Sequence, residues 1–188
     1  MTRFPVHTIE TAPAESKQSL ESVARNFGFV PNLMGVLAES PAAIQAYLAV
    51  SEIFGRSDLS PVERQVVLLT VSTENGCGYC VAAHTMAARM SQVPDDVISA
   101  LRDGTRISNP RLGTLSEITR KIVRQRGWLS ETDVAAFYDA GLSKRQILDV
   151  VVGITQKTLS NYVNHIAETP LDDAFRAAAW TKETPVIA

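Results

Sequence analysis

The feature that most constrains this chain is a series of helix-start signals with no strand pattern between them. Ser60-Pro61-Val62-Glu63 is a capping box. The serine can accept from the third helical amide, the glutamate can reach back to the cap, and proline suits a first helical position whose amide needs no partner. Thr114-Leu115-Ser116-Glu117 and Ser143-Lys144-Arg145-Gln146 repeat the pattern, the last opening a long helix to about His165. Pro94-Asp95-Asp96 starts another, with acids in its first turn and Gly104 at its end. Ser130 opens a short helix through Val134 and Phe137 that stops at Gly141, and Thr169-Pro170-Leu171-Asp172 starts a final one.

The run Val66–Val71 is rich in β-branched residues and could be read as a strand. It opens on the Ser60 box and has no candidate partner strands, so it is predicted to be a buried helix. Asn75-Gly76 breaks it, and a new helix runs from near Cys77 to about Met90. Residues 105–113 are predicted to be a loop before the Thr114 helix, whose Leu115, Ile118, Ile122 and Val123 share a face. Upstream, Ile44, Tyr47, Leu48 and Phe54 recur near helical spacing after Pro41, and residues 16–27 are weakly helical with a stop at Gly28. Residues 1–15 show no period and read as an extended arm. A chain of 188 residues with 45% hydrophobic content suits one core better than two. The expected fold is therefore all-α: a single-domain helical bundle over residues 16–188, preceded by the arm.

An internal echo accompanies this pattern. Shifting Cys77, Cys80 and His84 along the chain places them on Thr158, Asn161 and His165, and Gln65 on Gln146. The capping boxes are out of step by two residues. The echo implies two similar helical halves, only one of which keeps the thiols.

Charge and composition exclude several function classes. With 18 basic and 20 acidic side chains the formal net charge is −2, and no basic face suggests nucleic acid. No stretch is long and apolar enough to span a bilayer, and Met1-Thr2-Arg3-Phe4-Pro5 lacks the apolar run of a signal peptide. A cytoplasmic protein is expected. There are only two cysteines, and they sit three residues apart. A secreted disulfide scaffold would use more of them at wider spacing, and a bridge this short closes too small a loop to stabilise a fold. The pair therefore points to redox chemistry or metal binding.

The segment reads Glu74-Asn75-Gly76-Cys77-Gly78-Tyr79-Cys80-Val81-Ala82-Ala83-His84. Helical spacing puts Cys77, Cys80 and His84 on one stripe. Cys77 is expected in the first turn, where free amides and the helix dipole lower a thiol pKa, and the thiolate is the reactive form. His84 can take a thiol proton or pair with a thiolate. Two such thiols support a peroxidase cycle: one attacks peroxide and becomes a sulfenic acid, the other condenses with it to a disulfide, and an external dithiol reduces that disulfide. Zinc is the rival, but these residues supply three ligands where a structural site wants four, and His7 and His165 are distant in sequence.

Cys-Gly-Tyr-Cys-Val-Ala-Ala-His after a capped apolar helix resembles the CxxCxxxH signature of the AhpD-like alkylhydroperoxidases, within the carboxymuconolactone decarboxylase family. Phe27-Gly28-Phe29-Val30-Pro31-Asn32-Leu33 resembles the N-terminal signature of its peroxidase-related branch, and Asn161–Ile166 with Thr169–Asp172 resembles its C-terminal segment. The resemblance covers roughly residues 20–178. It implies an all-helical fold that assembles as trimers or hexamers. It also implies peroxide reduction with electrons from a lipoylated or thioredoxin-like protein. No cofactor and no metal are expected. It assigns Cys80 as the peroxidatic thiol and Cys77 as the resolving one, whereas the dipole argument favours Cys77 as the more acidic.

One position departs from the family pattern. A glutamate is expected twelve residues before the first cysteine, and this chain has Gln65, which cannot take a proton. Glu74 is a candidate substitute, beside Cys77 or feeding a relay through His84. Tyr162 and His165 are candidates for the far wall of the site, although packing at an oligomer interface or capping of the helix is the preferred reading. Two other functions compete: a non-enzymatic redox sensor, and the decarboxylase or lyase branch of the family, against which the dithiol counts.

Overall fold

Ser60, Ser130 and Ser143 each cap a helix as the sequence predicts, with both reciprocal hydrogen bonds of the capping box in place. They belong to a computed structural model that describes residues 4–182. Residues 1–3 of the predicted arm and residues 183–188 at the end of the predicted domain lie outside the described residues. Among the described residues there are nine α-helices and no strand: α1 Ala14–Phe27, α2 Asn32–Leu37, α3 Pro41–Gly55, α4 Pro61–Glu74, α5 Gly78–Met90, α6 Asp95–Asp103, α7 Pro110–Gln125, α8 Glu131–Asp139 and α9 Lys144–Ala167. A short 3₁₀ helix, Asp173–Ala178, stands where a final helix is predicted.

Helices α1 and α7 start earlier than expected, each for a local reason. Helix α1 begins two residues early, directly after Pro13. Helix α7 begins at Pro110, inside the predicted loop, because the Asn109 side chain accepts from Leu112 N–H and proline fills the first position. That cap acts before the Thr114 box, which is left inside the helix. Helix α9 runs unbroken through the positions that the internal echo equates with the α4–α5 break, so the two halves do not repeat that break.

Helix α4 is the spine. Val66, Val67, Leu69 and Val71 are fully buried, and the helix packs on α5, α7 and α9. One hydrophobic core, containing Phe54, Leu101, Leu115 and Phe137, lies largely around α4, α6 and α7. A second, containing Leu20, Leu37 and Ile44, lies under α1–α3 and takes in Cys77, Tyr79 and Cys80. The dithiol is thus part of a core. Helix α9 approaches closely because of Gly153, where a Cβ would lie 2.7 Å from the Phe54 ring and 2.9 Å from Val67. Gly76 turns the chain from α4 into α5 with φ +69, and Cys77 N–H then donates to Ser72 O at 2.9 Å.

The three segments that carry the family resemblance converge on Tyr79, inside the CxxC. Its hydroxyl accepts from Leu33 N–H at 3.2 Å and donates to the Asp172 carboxylate, which also accepts from Asn32 N–H at 3.0 Å. Asn75 Nδ2, at the α4–α5 turn, donates to Asn161 Oδ1 at 2.9 Å. Distant sequence signatures therefore act together to fix one turn of helix.

Candidate active site

The two cysteines differ because the helix starts one residue later than predicted. Cys77 is the N-cap, in extended conformation, and not a first-turn residue. Cys80 is the third residue of α5, so the free amides and the dipole favour a charge there. The helix start therefore favours Cys80, and not Cys77 as expected, as the more acidic thiol. Both thiols are free and 1% exposed.

Helix α9 supplies most of what surrounds them. Lys157 Nζ donates to Cys80 Sγ at 3.4 Å and to His84 Nε2 at 2.9 Å. Asn164 Nδ2 lies 3.2 Å from Cys80 Sγ and 3.7 Å from Cys77 Sγ, bridging the pair. Ser160 Oγ lies 3.8 Å from Cys80 Sγ. On the other side His84 Nδ1 and Gln65 Oε1 are 3.1 Å apart. An ammonium has only protons to offer, so His84 Nε2 is the acceptor and the ring's proton sits on Nδ1, donated to the Gln65 carbonyl.

Charge follows from this geometry. Burial opposes ionisation of Cys80, but a hydrogen bond from Cys77, the charge of Lys157 and the Ser160 and Lys157 hydrogen bonds outweigh it and hold its pKa well below the usual thiol range. Cys77 moves the other way: its hydrogen bond to Cys80, burial and the Cys80 charge push its pKa up. His84 is pushed down by burial and then by Lys157, so it is neutral. Burial also opposes the charge on Lys157, yet the Cys80 charge reverses this and raises its pKa. These shifts favour a thiolate–ammonium pair at Cys80 and Lys157, with the Cys77 thiol and the His84 imidazole favoured neutral beside it.

The sequence candidates sort accordingly. Cys77, Cys80, His84 and Gln65 come together. Glu74 does not join them: it pairs with Arg124 at 2.5 Å and Arg120 at 3.5 Å, bound to α7. Tyr162 is 56% exposed and His165 is also exposed, so neither walls the site. Among the described residues no group of three or more His, Cys, Asp or Glu side chains is arranged for a metal. The ligand atoms zinc would need, Cys80 Sγ and His84 Nε2, instead share a lysine cation.

Sequence reading missed Lys157, Ser160 and Asn164. A signal was present: Gln156, Lys157, Ser160, Asn161 and Asn164 recur at helical spacing and are all buried, while Leu148, Val151, Tyr162 and Ile166 on the same helix are exposed. Apolar residues draw attention to the wrong face of α9. Gln156 Oε1, Asn161 Nδ2 and Asn164 Oδ1 are buried without a hydrogen-bond partner within the protein. A cavity of about 290 Å³ opens above the pair, with Cys80, His84, Gln65 and Lys157 on its floor and Met34, Tyr47, Phe54, Leu68 and Phe175 among its walls.

Comparison with known proteins places this arrangement. Residues 36–107, spanning both thiols, His84 and Gln65, match the carboxymuconolactone decarboxylase family. The fold is that of the AhpD core. A peroxidase-related protein from Ralstonia eutropha JMP134, described as an alkylhydroperoxidase AhpD core, superposes with a TM-score of 0.82 at 24% identity, covering 92% of this chain and 93% of that one. A peroxidase-related protein from Silicibacter sp. TM1040 gives 0.77 at 22% identity over 92% of each chain. The debrominase Bmp8, solved with 2,3,4-tribromopyrrole, gives 0.77 at 14% identity over 95% of each chain. No curated protein matches the sequence.

Proposed function

We propose that the protein is a dithiol peroxidase in which Cys80 attacks and Cys77 resolves. The observation that carries this reading is the asymmetry of the two thiols: Cys80 lines the cavity and accepts from Lys157, which favours its thiolate, while Cys77 does not line the cavity and its pKa is pushed up. A thiolate is the nucleophile a peroxide oxygen requires, and a neutral neighbouring thiol is what condenses with the resulting sulfenic acid. The aromatic and aliphatic walls suit an organic hydroperoxide. A dithiol protein, lipoylated or thioredoxin-like, returns the electrons by exchange. The exposed apolar residues of α9, Leu148, Val151, Tyr162 and Ile166, suit contact with further copies of this chain, as a trimer or hexamer.

Donor-dependent consumption of cumene hydroperoxide tests the reading. Wild type turns over, Cys80→Ser does not, and Cys77→Ser reacts once and stops at the sulfenic acid. Equal turnover by Cys80→Ser would sink the proposal. Oxidation of wild type that no dithiol donor can reverse would favour a redox sensor.

The shared fold with a debrominase and the apolar cavity favour one second acceptor, a bromoarene. There the dithiol would become a disulfide while carbon–bromine is replaced by carbon–hydrogen and bromide leaves. Bromide release from a bromopyrrole, compared with hydroperoxide consumption, separates the two.

A further inference from the structure

Lys157 is 1% exposed, and none of the ion pairs among the described residues gives it a carboxylate. A buried ammonium without a counter-charge is costly, so its compensation must come from what surrounds it. The titratable and charged groups facing it are the Tyr47 hydroxyl from α3, Arg64 from α4, and Cys77, Cys80 and His84 from α5. Its own helix adds only neutral Gln156 and Ser160. Cys80 is the one group in contact with it that can supply a negative charge at neutral pH.

We propose that Lys157 is a catalytic acid: it takes the proton of the Cys80 thiol into a thiolate–ammonium pair and delivers it to the oxygen that leaves when the peroxide bond breaks. The proposal rests on the dithiol-peroxidase reading and deepens it. Nζ lies 3.4 Å from the attacking sulfur and lines the same cavity, so a hydroperoxide bound for attack on Sγ has its leaving oxygen within reach. His84 and Gln65 are positioning residues. Neutral His84 accepts one Nζ proton at 2.9 Å, and the Gln65 carbonyl takes the ring's other proton at 3.1 Å. A glutamate at position 65 would favour an imidazolium, which would stand against the lysine cation. The amide leaves the ring neutral and the lysine charged. Gln65 and Lys157 therefore act as one set through His84.

The steps balance. Cys80 thiolate attacks the terminal oxygen of ROOH, forming S–O and breaking O–O. Sulfur is oxidised to a sulfenic acid, and the alkoxide takes a proton from Lys157 to become ROH. Cys77 thiol then displaces hydroxide from the sulfenic acid, water leaves with the thiol proton, and a disulfide remains. The external dithiol reduces this to two thiols, and Cys80 returns its proton to the neutral Lys157 amine. The proton cycles from sulfur to nitrogen to oxygen, and no base other than Lys157 is needed.

The test separates ionising Cys80 from protonating the leaving group. Reduced wild type, Lys157→Met and Lys157→Gln are reacted in single turnover with cumene hydroperoxide, and in parallel with iodoacetamide, whose iodide leaves without a proton, from about pH 5 to about pH 10. Wild type keeps both rates toward low pH. Both variants lose alkylation near neutrality and regain it to within about threefold at high pH, while hydroperoxide reduction there stays down on the order of 100-fold. Parallel recovery of both reactions would show that Lys157 only ionises the thiol, and unchanged rates would show that it does neither; each overturns the proposal. Lys157→Gln carries the same test should the methionine variant not fold, as judged by circular dichroism. Wild type that alkylates normally but reduces no hydroperoxide would overturn the peroxidase reading itself, a distinct result.

Discussion

Two charge pairs with buried members are built to opposite specifications. Glu63 is 6% exposed and fully partnered: it accepts from Ser60 N–H at 2.8 Å and Arg111 Nε at 2.7 Å, while Arg111 also donates to the Ala140 and Gly141 carbonyls. The pair joins α4 to α7 and the end of α8, away from the thiols. Lys157–Cys80 is set among polar atoms without protein partners, lines a cavity, and couples a cation to a group that is an anion only while reduced. A pair with every valence satisfied serves as a clamp. A pair with open valences beside empty volume serves chemistry.

Substitutions on the two pairs test that contrast. The largest effect belongs to Cys80→Ser, which removes the nucleophile and takes hydroperoxide turnover to background in a donor-coupled assay. Next is Glu63→Ala. It leaves Arg111 without its partner and removes half of a capping box, so urea unfolding registers a loss of about 2–3 kcal/mol, reduced from a fully buried pair because Arg111 is 39% exposed. Turnover per folded molecule is unchanged. Lys157→Met gives the reverse profile. Activity falls while unfolding free energy changes by less than about 1 kcal/mol, because Cys80 takes up a proton and no charge is stranded. If both variants lost stability equally, the distinction between clamp and chemistry would fail.

Smaller effects follow. Tyr79→Phe deprives Asp172 and Leu33 of a buried partner and costs about 1–2 kcal/mol by the same unfolding assay. Glu74→Gln loses partly exposed ion pairs to α7, costs under about 1 kcal/mol, and leaves the alkylation rate of Cys80 within about twofold of wild type.

The fold was legible because helix signals are local. Ser60, Ser130, Ser143 and Gly104 punctuate the chain through contacts three or four residues away. The Asn109-Pro110 start was readable by the same logic, but the Thr114 box competed for it. The site was half legible. Cys77, Cys80 and His84 share one helix, so spacing alone aligns them. Gln65 comes within reach because α4 folds back on α5. Lys157 and Asn164 lie more than 70 residues downstream of these, and only the packing of α9, through Gly153, brings them in. A lysine on a helix is ordinarily a solvated residue. Its burial here depends on the polar stripe facing inward, a reversal visible only when both faces of α9 are considered. Glu74 failed as a candidate for a related reason: proximity in sequence to Cys77 says nothing about the arginines of α7 that claim it.

The measurement that bears most directly on the thiolate–ammonium pair is the ultraviolet thiolate absorbance of the reduced protein as a function of pH, with Cys77→Ser and Cys80→Ser to assign it. Cys80 is lowered in the folded state, so its charge, and the stability it contributes, is present above the ordinary thiol value of about 8.5 and is lost only as pH falls through the lowered one. Cys77 is raised, so the folded protein keeps it neutral past that value. Wild type should therefore show one thiolate already formed at neutral pH and a second absent until strongly alkaline pH, with the early one missing in Cys80→Ser. Two thiols titrating together near the ordinary value, or an early thiolate that survives in Cys80→Ser, would contradict the pairing of Lys157 with Cys80.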